Sequence, residues 1–348
     1  MREALPPPPR LVEHGRMQFG TYAGPIAATN LIDAQPWAVP APRLVRRLRL
    51  KEWQAFQFGN PRWFFAVALF DAKTLALAQF KIYDRERRQK FLFERKLPSW
   101  ALRAPTNLLD SRMDWSGGDA QISFRNHLAE DSIDIHVELP ADANDGRPAV
   151  AAKLRALAAG CEPEVVCIPF GSNRGMYSHK GCLAVEGEVR LGDETIALTP
   201  ADSYLLMDDH KGYYDYVMRW DWVTGGGVDE AGRRIGFNLT RNASIDPLAY
   251  NENCLWIDGQ RHLLGPVEFD RRSGAEGEIW AVRDTAGRGQ VEVDFELEVD
   301  GYVRVNALVI ESRYRGPFGR VRGRIATGGE EVELDGMFGM GEDFYLRC

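Results

Sequence analysis

The chain has 348 residues, of which 45% are apolar and 27% are charged, and its formal net charge is -7. Such a composition is that of a globular protein with enough apolar residues for a substantial core. The acidic balance argues against the basic surface that nucleic-acid binding requires, so no nucleic-acid partner is expected. Basic clusters at 43–47 and 85–88 are interpreted as solvated faces, which leaves peripheral membrane contact open.

The N-terminus lacks the apolar central region of a signal peptide, and no apolar run reaches the length of a transmembrane helix. The chain has five cysteines and no Cys-x-x-Cys motif, which is typical of reduced thiols. These features predict a soluble, cytoplasmic protein without a transmembrane span.

In chain order, residues 1–42 hold eight of the 19 prolines and predict an extended arm over the body of the protein. Period-two alternation begins near Leu48 and is clear over Trp53–Phe58, which predicts the first of several β-strands. The alanine-rich segment 149–159 has leucines at spacing three and is the one convincing helix candidate.

A second strand series covers residues 165–206, and a third follows Gly212, with glycine-bearing turns such as Asp258-Gly259. Strands at short, regular intervals with hairpin turns predict an all-β fold of antiparallel barrels or sandwiches. About eight strands on each side of residue 212 favour two consecutive antiparallel β-barrels, because closure hides sheet edges. The expected domains are an arm at 1–42, a first barrel at 43–212 and a second at 213–348.

Acids, a histidine, tyrosines and tryptophans crowd the segment 208–222. Side chains alternate along a strand, so Trp220 and Trp222 share one face, and Tyr214 and Tyr216 share another. An aromatic-lined barrel interior or mouth suits an apolar or planar ligand. The alternative interpretation is that the two tryptophans belong only to the core.

Carboxylates buried beside aromatic rings have raised pKa values and can deliver a proton. Asp209 and Asp215 are therefore candidate acids, with His210 as partner, although each also suits a turn. His179 is a candidate single acid, base or hydrogen-bond donor. Because Ser178 and His179 are adjacent on a predicted strand and point apart, and no Gly-x-Ser-x-Gly motif occurs, a serine hydrolase is not favoured.

Other polar and aromatic side chains complete the candidate ligand site. Glu252 lies at the entry of a predicted strand and Asn238 lies on the preceding strand. A structural role for Glu252, bonded to backbone or to Arg241, is the competing interpretation. No histidines pair at metal-ligand spacing, and no dinucleotide or phosphate-binding motif occurs, so neither metal nor cofactor is expected. The candidate substrate-binding residues are Tyr213, Tyr214, Tyr216, Trp220, Trp222, Asn238 and Glu252.

An ordered series of short motifs resembles one protein family. The motifs are Ser178-His179-Lys180, Glu186-Gly187, Lys211–Tyr216, Trp220-x-Trp222, Gly236-x-Asn238-Leu239, Glu252-Asn253 and Asp258-Gly259. They resemble the bacterial family catalogued as domain of unknown function 2804, which is distantly similar to lipocalin-like carotenoid hydratases (hydroxyneurosporene synthase) and decalin-forming cyclases. The resemblance implies two lipocalin- or calycin-like barrels, a hydrophobic ligand and acid catalysis without a cofactor. Asp215 departs from the pattern, since proline is expected there.

Three functions remain open on the sequence. The first is a cofactor-independent lyase, hydratase or isomerase acting on a lipid or terpenoid-like molecule by acid–base catalysis. The second is a non-catalytic carrier of hydrophobic ligands, which needs the same pocket but no acid. The third is a glycan-active β-sandwich, which needs two carboxylates roughly 5–10 Å apart across an open groove. The sequence does not predict the oligomeric state.

Overall fold

The computed structural model describes residues 2–274, 277–307 and 310–347. Over these ranges the chain is almost entirely β-structure, with one α-helix, α1, at Arg43–Arg49. The strands are β1 Ala4–Leu5, β2 Val12–Glu13, β3 Arg16–Met17, β4 Gly20–Tyr22, β5 Leu50–Gly59, β6 Trp63–Asp71, β7 Ala76–Asp84, β8 Gln89–Leu97, β9 Ser111–Gly117, β10 Ala120–His127, β11 Ser132–Leu139, β12 Val150–Leu157, β13 Glu164–Pro169, β14 Gly175–Leu191, β15 Glu194–Leu198, β16 Tyr204–Tyr213, β17 Val217–Val228, β18 Arg234–Arg241, β19 Cys254–Ile257, β20 Gln260–Leu263, β21 Val267–Gly274, β22 Gly277–Asp284, β23 Val291–Val299, β24 Tyr302–Ala307, β25 Ile310–Arg315, β26 Phe318–Ala326, β27 Glu331–Glu333 and β28 Phe338–Arg347.

The first sheet is antiparallel along its main path, in the order β8-β7-β6-β5-β16-β14-β12-β11-β10-β9. Alternation along each strand sends one set of side chains to the concave face, where Phe56, Phe58, Phe124 and Ile135 join one large apolar core. Hydrophobic burial in this core drives the sheet to curl around it.

The second sheet runs in the order β20-β19-β18-β17-β28-β26-β23-β22-β21, again antiparallel. Its concave face buries a separate core that includes Val223, Phe237, Trp280 and Phe295. The prediction of an all-β fold with two consecutive antiparallel, lipocalin-like barrels is therefore confirmed. The chain passes from one sheet to the other between Tyr213 and Val217, where β16 ends and β17 begins. The expected domain boundaries stay a prediction.

The helix predicted at 149–159 is wrong, because this segment forms strand β12 and pairs with β11 and β14. Val150, Ala152, Leu154 and Ala156 are buried and point into the first core. The alanines suggested helix by propensity, but the same residues also carry a period-two pattern. Burial between two neighbouring strands outweighs the intrinsic helix preference of alanine, which is a weak term.

The N-terminal segment lies against the first sheet. Strand β4 pairs with β13, and Leu11, Tyr22 and Leu31 form a small core with Val165 and other residues of the sheet. Helix α1 then leads into β5. Within the described ranges, no helix is long and apolar enough to cross a membrane.

The two sheets meet through their convex faces, which carry small residues where the backbones approach. A Cβ on Gly236 would lie 2.5 Å from the sulfur of Cys182 in the other sheet, so only glycine fits there. Apolar clusters join Cys182 and Leu206 to Trp256, and Phe64 and Tyr83 to Phe338. Between these contacts the sheets separate and enclose a cavity.

Candidate functional site

A cavity of about 340 Å³ lies between the convex faces of the two sheets. On β5, Trp53 and Ala55 face the cavity while Phe56 faces the first core. On β17, Trp220 and Trp222 face the cavity while Val223 faces the second core. The aromatic pocket is thus built between the barrels, whereas the sequence suggested the interior or mouth of one barrel.

Stacked rings form one wall of the cavity. The rings of Trp53 and His210 lie 3.8 Å apart and are tilted by 6°. Trp220 stacks on Phe344 at 3.8 Å and lies 6.0 Å from both Trp53 and Tyr214. The wall therefore offers flat apolar faces with few polar edges, which suits a hydrophobic ligand.

His210 and Tyr214 form a neutral hydrogen-bonded pair on this wall. The Nε2 atom of His210 shares a hydrogen bond with the hydroxyl group of Tyr214. Burial lowers the pKa of His210 to about 3 and raises the pKa of Tyr214 well above its ordinary value. At neutral pH the imidazole is therefore uncharged and the phenol keeps its proton.

A buried lysine lies between two buried carboxylates next to this wall. Lys180 Nζ lies 2.6 Å from Asp208 Oδ1 but 3.7 Å from Glu252 Oε2. Asp208 also accepts a 3.0 Å hydrogen bond from the indole of Trp53. Burial disfavours the ionised form of Asp208, but Lys180, His210 and the hydrogen bond from Trp53 together outweigh burial and lower the pKa of that carboxyl. Burial likewise opposes the charge on Lys180, and the two acids raise its pKa.

Glu252 differs from Asp208 in its surroundings. It is 5% exposed and lines the cavity, and among the described groups its Oε2 atom has no hydrogen-bond partner. Burial raises the pKa of Glu252. Lys180 opposes this rise, and so, to a smaller extent, does the nearby hydroxyl of Ser178, although its geometry is not that of a hydrogen bond. Glu252 can therefore hold a proton at the cavity surface beside an ionised Lys180–Asp208 pair.

The backbone around Glu252 is fixed by residues distant in sequence. The guanidinium of Arg2 donates to the carbonyl oxygens of Asn251 and Asn253, and it pairs with Glu164 at 2.6 Å. Asn238 Nδ2 donates a 2.8 Å hydrogen bond to the carbonyl of Glu252 itself. The sequence hypothesis linked Glu252 to Arg241, but Arg241 pairs with Asp221 instead.

A third carboxylate, the partly buried Glu342, lies beside the stacked rings. It accepts a 2.8 Å hydrogen bond from the indole of Trp220 and a 3.0 Å bond from the hydroxyl of Tyr314. Burial raises the pKa of Glu342 and lowers the pKa of the neighbouring Lys81. Both residues line the cavity. With its oxygens occupied by donors, Glu342 serves to orient Trp220 and Tyr314.

Two candidate acid–base residues lie on the other face of their strands. Asp209 and His179 are directly opposed across β16 and β14 and point toward the first sheet's concave side. Burial, strengthened by Asp208 and Glu52 and opposed by Lys211, raises the pKa of Asp209 to about 6. Burial lowers the pKa of His179 to about 4. Neither side chain lines the cavity.

The remaining candidates take four different positions. Asp215 lies at the cavity rim and pairs with Arg174 at 2.7 Å. Tyr213 packs into the N-terminal core, and Tyr216 is 51% exposed. Asn238 lies behind the wall, where its Oδ1 accepts a 2.6 Å hydrogen bond from Trp222. Of the candidates in the segment 208–222, His210, Tyr214, Trp220 and Trp222 come together in the cavity.

Sequence reasoning missed Asp208, Lys180, Trp53 and Glu342 as site residues. One signal was available: His210 and Asp208 are two residues apart on a predicted strand and share a face, whereas Asp209 and His210 cannot. Within the described ranges, no cluster of three or more His, Cys, Asp or Glu side chains is arranged to hold a metal ion.

Comparison with known proteins places the chain in a family and a fold. No curated protein matches the sequence. A crystal structure of CghA with Sch210972 is similar at a TM-score of 0.52 and 12% identity, covering 86% of this chain and 89% of that chain. Kievitone hydratase from Nectria haematococca is similar at a TM-score of 0.50 and 13% identity, covering 85% and 88%. The family model described as Domain of unknown function (DUF2804) matches residues 3–347, and the chain belongs to this family.

Proposed function

We propose that the cavity between the sheets binds a hydrophobic small molecule and converts it by acid–base catalysis, as a hydratase, lyase or isomerase without a cofactor. One observation carries this proposal: Glu252 is buried on the cavity wall, its Oε2 atom has no hydrogen-bond partner among the described groups, and its pKa is raised. A neutral carboxylic acid facing an apolar space is suited to donate a proton.

In the proposed step, Glu252 donates its proton to an alkene carbon or a carbonyl oxygen of the ligand. The ring faces of Trp53 and Trp220 stabilise the positive charge that develops on the ligand. The Lys180 ammonium stabilises the carboxylate left on Glu252, since it lies 3.7 Å away. Addition of water to the cation, with transfer of one water proton to the Glu252 carboxylate, completes hydration. Return of a different ligand proton to Glu252 completes isomerisation.

His210 and Tyr214 have a supporting role in this proposal. Their shared hydrogen bond places a neutral polar edge within a largely apolar wall. Such an edge can orient the one polar group of a lipid-like or terpenoid-like ligand without adding charge. Asp209 and His179, which face away from the cavity, are assigned no contact with the ligand.

The structural neighbours are compatible with this reaction class. Kievitone hydratase is a hydratase by name, and CghA was crystallised with Sch210972. At 12–13% identity these proteins share the fold with the chain, so the proposal rests on the cavity itself. The glycan-active alternative has less support, because the walls are mostly apolar and the cavity lies between packed sheets.

The test compares wild-type protein with Glu252→Gln, which removes the transferable proton and keeps the shape. Native mass spectrometry identifies any ligand retained on purification, and incubation of that ligand with each protein follows its conversion. We expect wild-type protein to convert the ligand and Glu252→Gln to bind it unchanged. Glu342→Gln is the matched control, because it alters a partly buried cavity carboxyl already bonded to two donors. Equal conversion by wild type and Glu252→Gln would refute the acid role.

A carrier of hydrophobic ligands is the second candidate, favoured by the stacked wall of Trp53, His210, Trp220 and Phe344. A carrier needs this wall but not the proton of Glu252. The same experiment separates the two functions: retention of one ligand that neither protein alters supports the carrier and contradicts the enzyme.

The cavity rim supports peripheral membrane contact as the route by which a lipid-like ligand arrives. Leu75 and Val217 line the cavity and are also exposed. Beside them, α1 exposes Leu44 and Leu48 among arginines, and Arg49 reaches the carbonyl of Tyr214 at 3.5 Å. We propose that this basic, apolar rim contacts an anionic lipid surface.

Vesicle sedimentation tests the rim. Wild-type protein is expected to bind vesicles that contain phosphatidylglycerol more strongly than vesicles of phosphatidylcholine alone. The double variant Leu44→Ser/Leu48→Ser should lose most of this binding, whereas Leu92→Ser, at an exposed leucine on β8, should keep it. Equal binding by all three proteins would contradict the proposed contact.

A further inference from the structure

A second pocket, of about 530 Å³, opens at one end of the second barrel. It continues the concave face beyond the apolar core, because the outermost core residue of β17 and that of β18 are each followed, two positions further along the strand, by a charged residue. Val223 on β17 is followed by Asp221, and Leu239 on β18 is followed by Arg241. The strand face that carries buried apolar side chains deeper in the barrel therefore carries charged side chains at the end of the barrel.

This pocket adjoins the hydrophobic cavity, because Arg219, Trp220, Tyr314 and Phe344 line both. Trp222 and Glu252 line only the first cavity, whereas Asp221, Arg271 and Arg304 line only this pocket. A ligand in this pocket would therefore not touch Glu252. Variants at Glu252 and at Arg304 test the two sites separately.

Arginine dominates the pocket. Its lining includes Arg219, Arg241, Arg271, Arg304, Arg313 and Arg315, with Asp221 and Asp343 as the acids. Further acids pair with these arginines from outside the lining: Glu278 and Asp300 with Arg315, and Glu311 with Arg313. Six guanidinium groups thus face five carboxylates in total, so the site keeps a positive charge within an acidic protein.

The acids of the pocket are not shared equally among its arginines, so some guanidinium N–H groups remain available to a ligand. Asp221 holds Arg241 at 2.6 Å and also binds Arg271, whose Nε atom is buried without an acceptor among the described groups. In the part of the chain that the structure describes, Arg219 and Arg304 form no ion pair, and each guanidinium lies over a tyrosine ring, at 4.9 Å and 5.7 Å from the ring centre. Guanidinium groups fixed by acids and rings are preorganised for bidentate binding of an oxyanion.

We propose that this pocket binds a ligand bearing a phosphate or diphosphate group. Arg219 and Arg304 would supply the uncompensated charge, and Arg271 would supply a buried donor. The phosphate could belong to a free phosphorylated metabolite or to a lipid headgroup, since both present the same oxyanion. The proposal goes beyond the reaction assigned to the first cavity and does not depend on it.

Isothermal titration calorimetry of the full-length protein with inorganic pyrophosphate, at low ionic strength, tests the site. We expect saturable binding that weakens as salt is added, and a loss of at least about tenfold in affinity for Arg219→Gln/Arg304→Gln. Neither substitution breaks an ion pair between residues that the structure describes. The matched control is Arg103→Gln/Arg125→Gln, which removes the same charge from two exposed positions of the first domain.

A second arm replaces pyrophosphate with vesicles that contain phosphatidic acid. Binding of pyrophosphate assigns a soluble phosphorylated ligand, and binding of the vesicles alone assigns a lipid headgroup, provided that Arg219→Gln/Arg304→Gln abolishes it. The proposal is overturned if neither probe binds, or if both double variants bind as wild type does. Glu252→Gln should bind pyrophosphate normally, so failure of this site and failure of the catalytic proposal remain distinguishable.

Discussion

Lys180 Nζ lies 3.7 Å from Glu252 Oε2, an ion-pair distance at which no hydrogen bond forms. The same ammonium lies 2.6 Å from Asp208, so its charge is committed mainly to that acid. Two buried carboxylates beside one cation therefore separate in pKa: that of Asp208 is lowered and that of Glu252 is raised. A divergence of this kind is the physical basis for assigning one acid to the ionised state and the other to proton transfer.

The hydrogen bond between His210 and Tyr214 should make the effects of substituting these two residues on the free energy of unfolding non-additive. His210→Phe keeps a ring beside Trp53 but leaves the Tyr214 hydroxyl unpaired in a buried site, at a cost of about 1–3 kcal/mol. Tyr214→Phe leaves His210 Nε2 unpaired in the same way. The double variant removes both partners, so we expect it to be more stable than the sum of the single effects implies.

Urea unfolding of the four proteins at pH 7 measures this coupling. If the effects of the two substitutions simply add, the side chains do not interact and the neutral pair in the cavity wall does not exist.

The N-terminal Arg2 should act on both stability and the site. It is buried against Glu164 and holds the carbonyls on either side of Glu252. Arg2→Met removes one partner of a buried ion pair, which costs about 3 kcal/mol, although Arg261 still pairs with Glu164 at 3.0 Å. Unfolding in denaturant checks the stability. We also expect faster hydrogen exchange at the Asn253 amide, which donates to Asn251 Oδ1, because Arg2 no longer fixes the carbonyls of Asn251 and Asn253.

The control for this change is Arg10→Met, because Arg10 forms an exposed ion pair with Asp33. It should leave both stability and exchange unchanged. The same behaviour from Arg2→Met would show that the N-terminal residue does not position Glu252.

Asp209 should make folding stability depend on pH. Its pKa is about 6 in the folded protein against an ordinary value of 3.8, so the folded state binds more protons between these values. Stability from this group is therefore present below pH 3.8 and lost as pH rises through 6, by roughly 3 kcal/mol in total. His179 and His210 act in the opposite sense, because burial lowers the pKa values of both to about 4 and about 3.

Asp209→Asn isolates the carboxyl contribution. Relative to wild type, this variant should gain stability between pH 4 and about pH 6 and level off above that range, whatever its offset at one pH. Asp215→Asn is the control for removal of a carboxylate, because its side chain is exposed. Parallel curves for Asp209→Asn and wild type would mean that Asp209 titrates normally in the folded protein.

The sequence predicted the class of fold well because strand and turn signals are local. Alternation over Trp53–Phe58 and glycine turns such as Asp258-Gly259 both correspond to observed structure. The prediction for residues 150–157 was wrong because the evidence for it was also local. The spacing of alanine and leucine fits both the helical period and the strand period, and pairing with the two neighbouring strands decides between them.

The site was predictable in part. The segment 208–222 was identified as chemically rich, and His210, Tyr214, Trp220 and Trp222 do meet in one cavity. Which acid joins them depends on the face of the strand, and Asp208, not Asp209, shares that face with His210. The roles of Lys180 and Trp53 depend on pairing between strands that are distant in sequence. Local sequence patterns do not predict which distant strands pair.

The ionisation of Glu252 is the quantity on which the catalytic proposal depends. Carbon-13 NMR of protein labelled at the glutamate carboxyl carbon, with Glu252→Gln to assign the signal, follows this one group as pH is varied. We expect Glu252 to titrate above its ordinary pKa of 4.5 and to respond to a ligand that fills the cavity. Titration at or below 4.5 would leave no proton on this carboxyl at neutral pH, and acid catalysis by Glu252 would be contradicted.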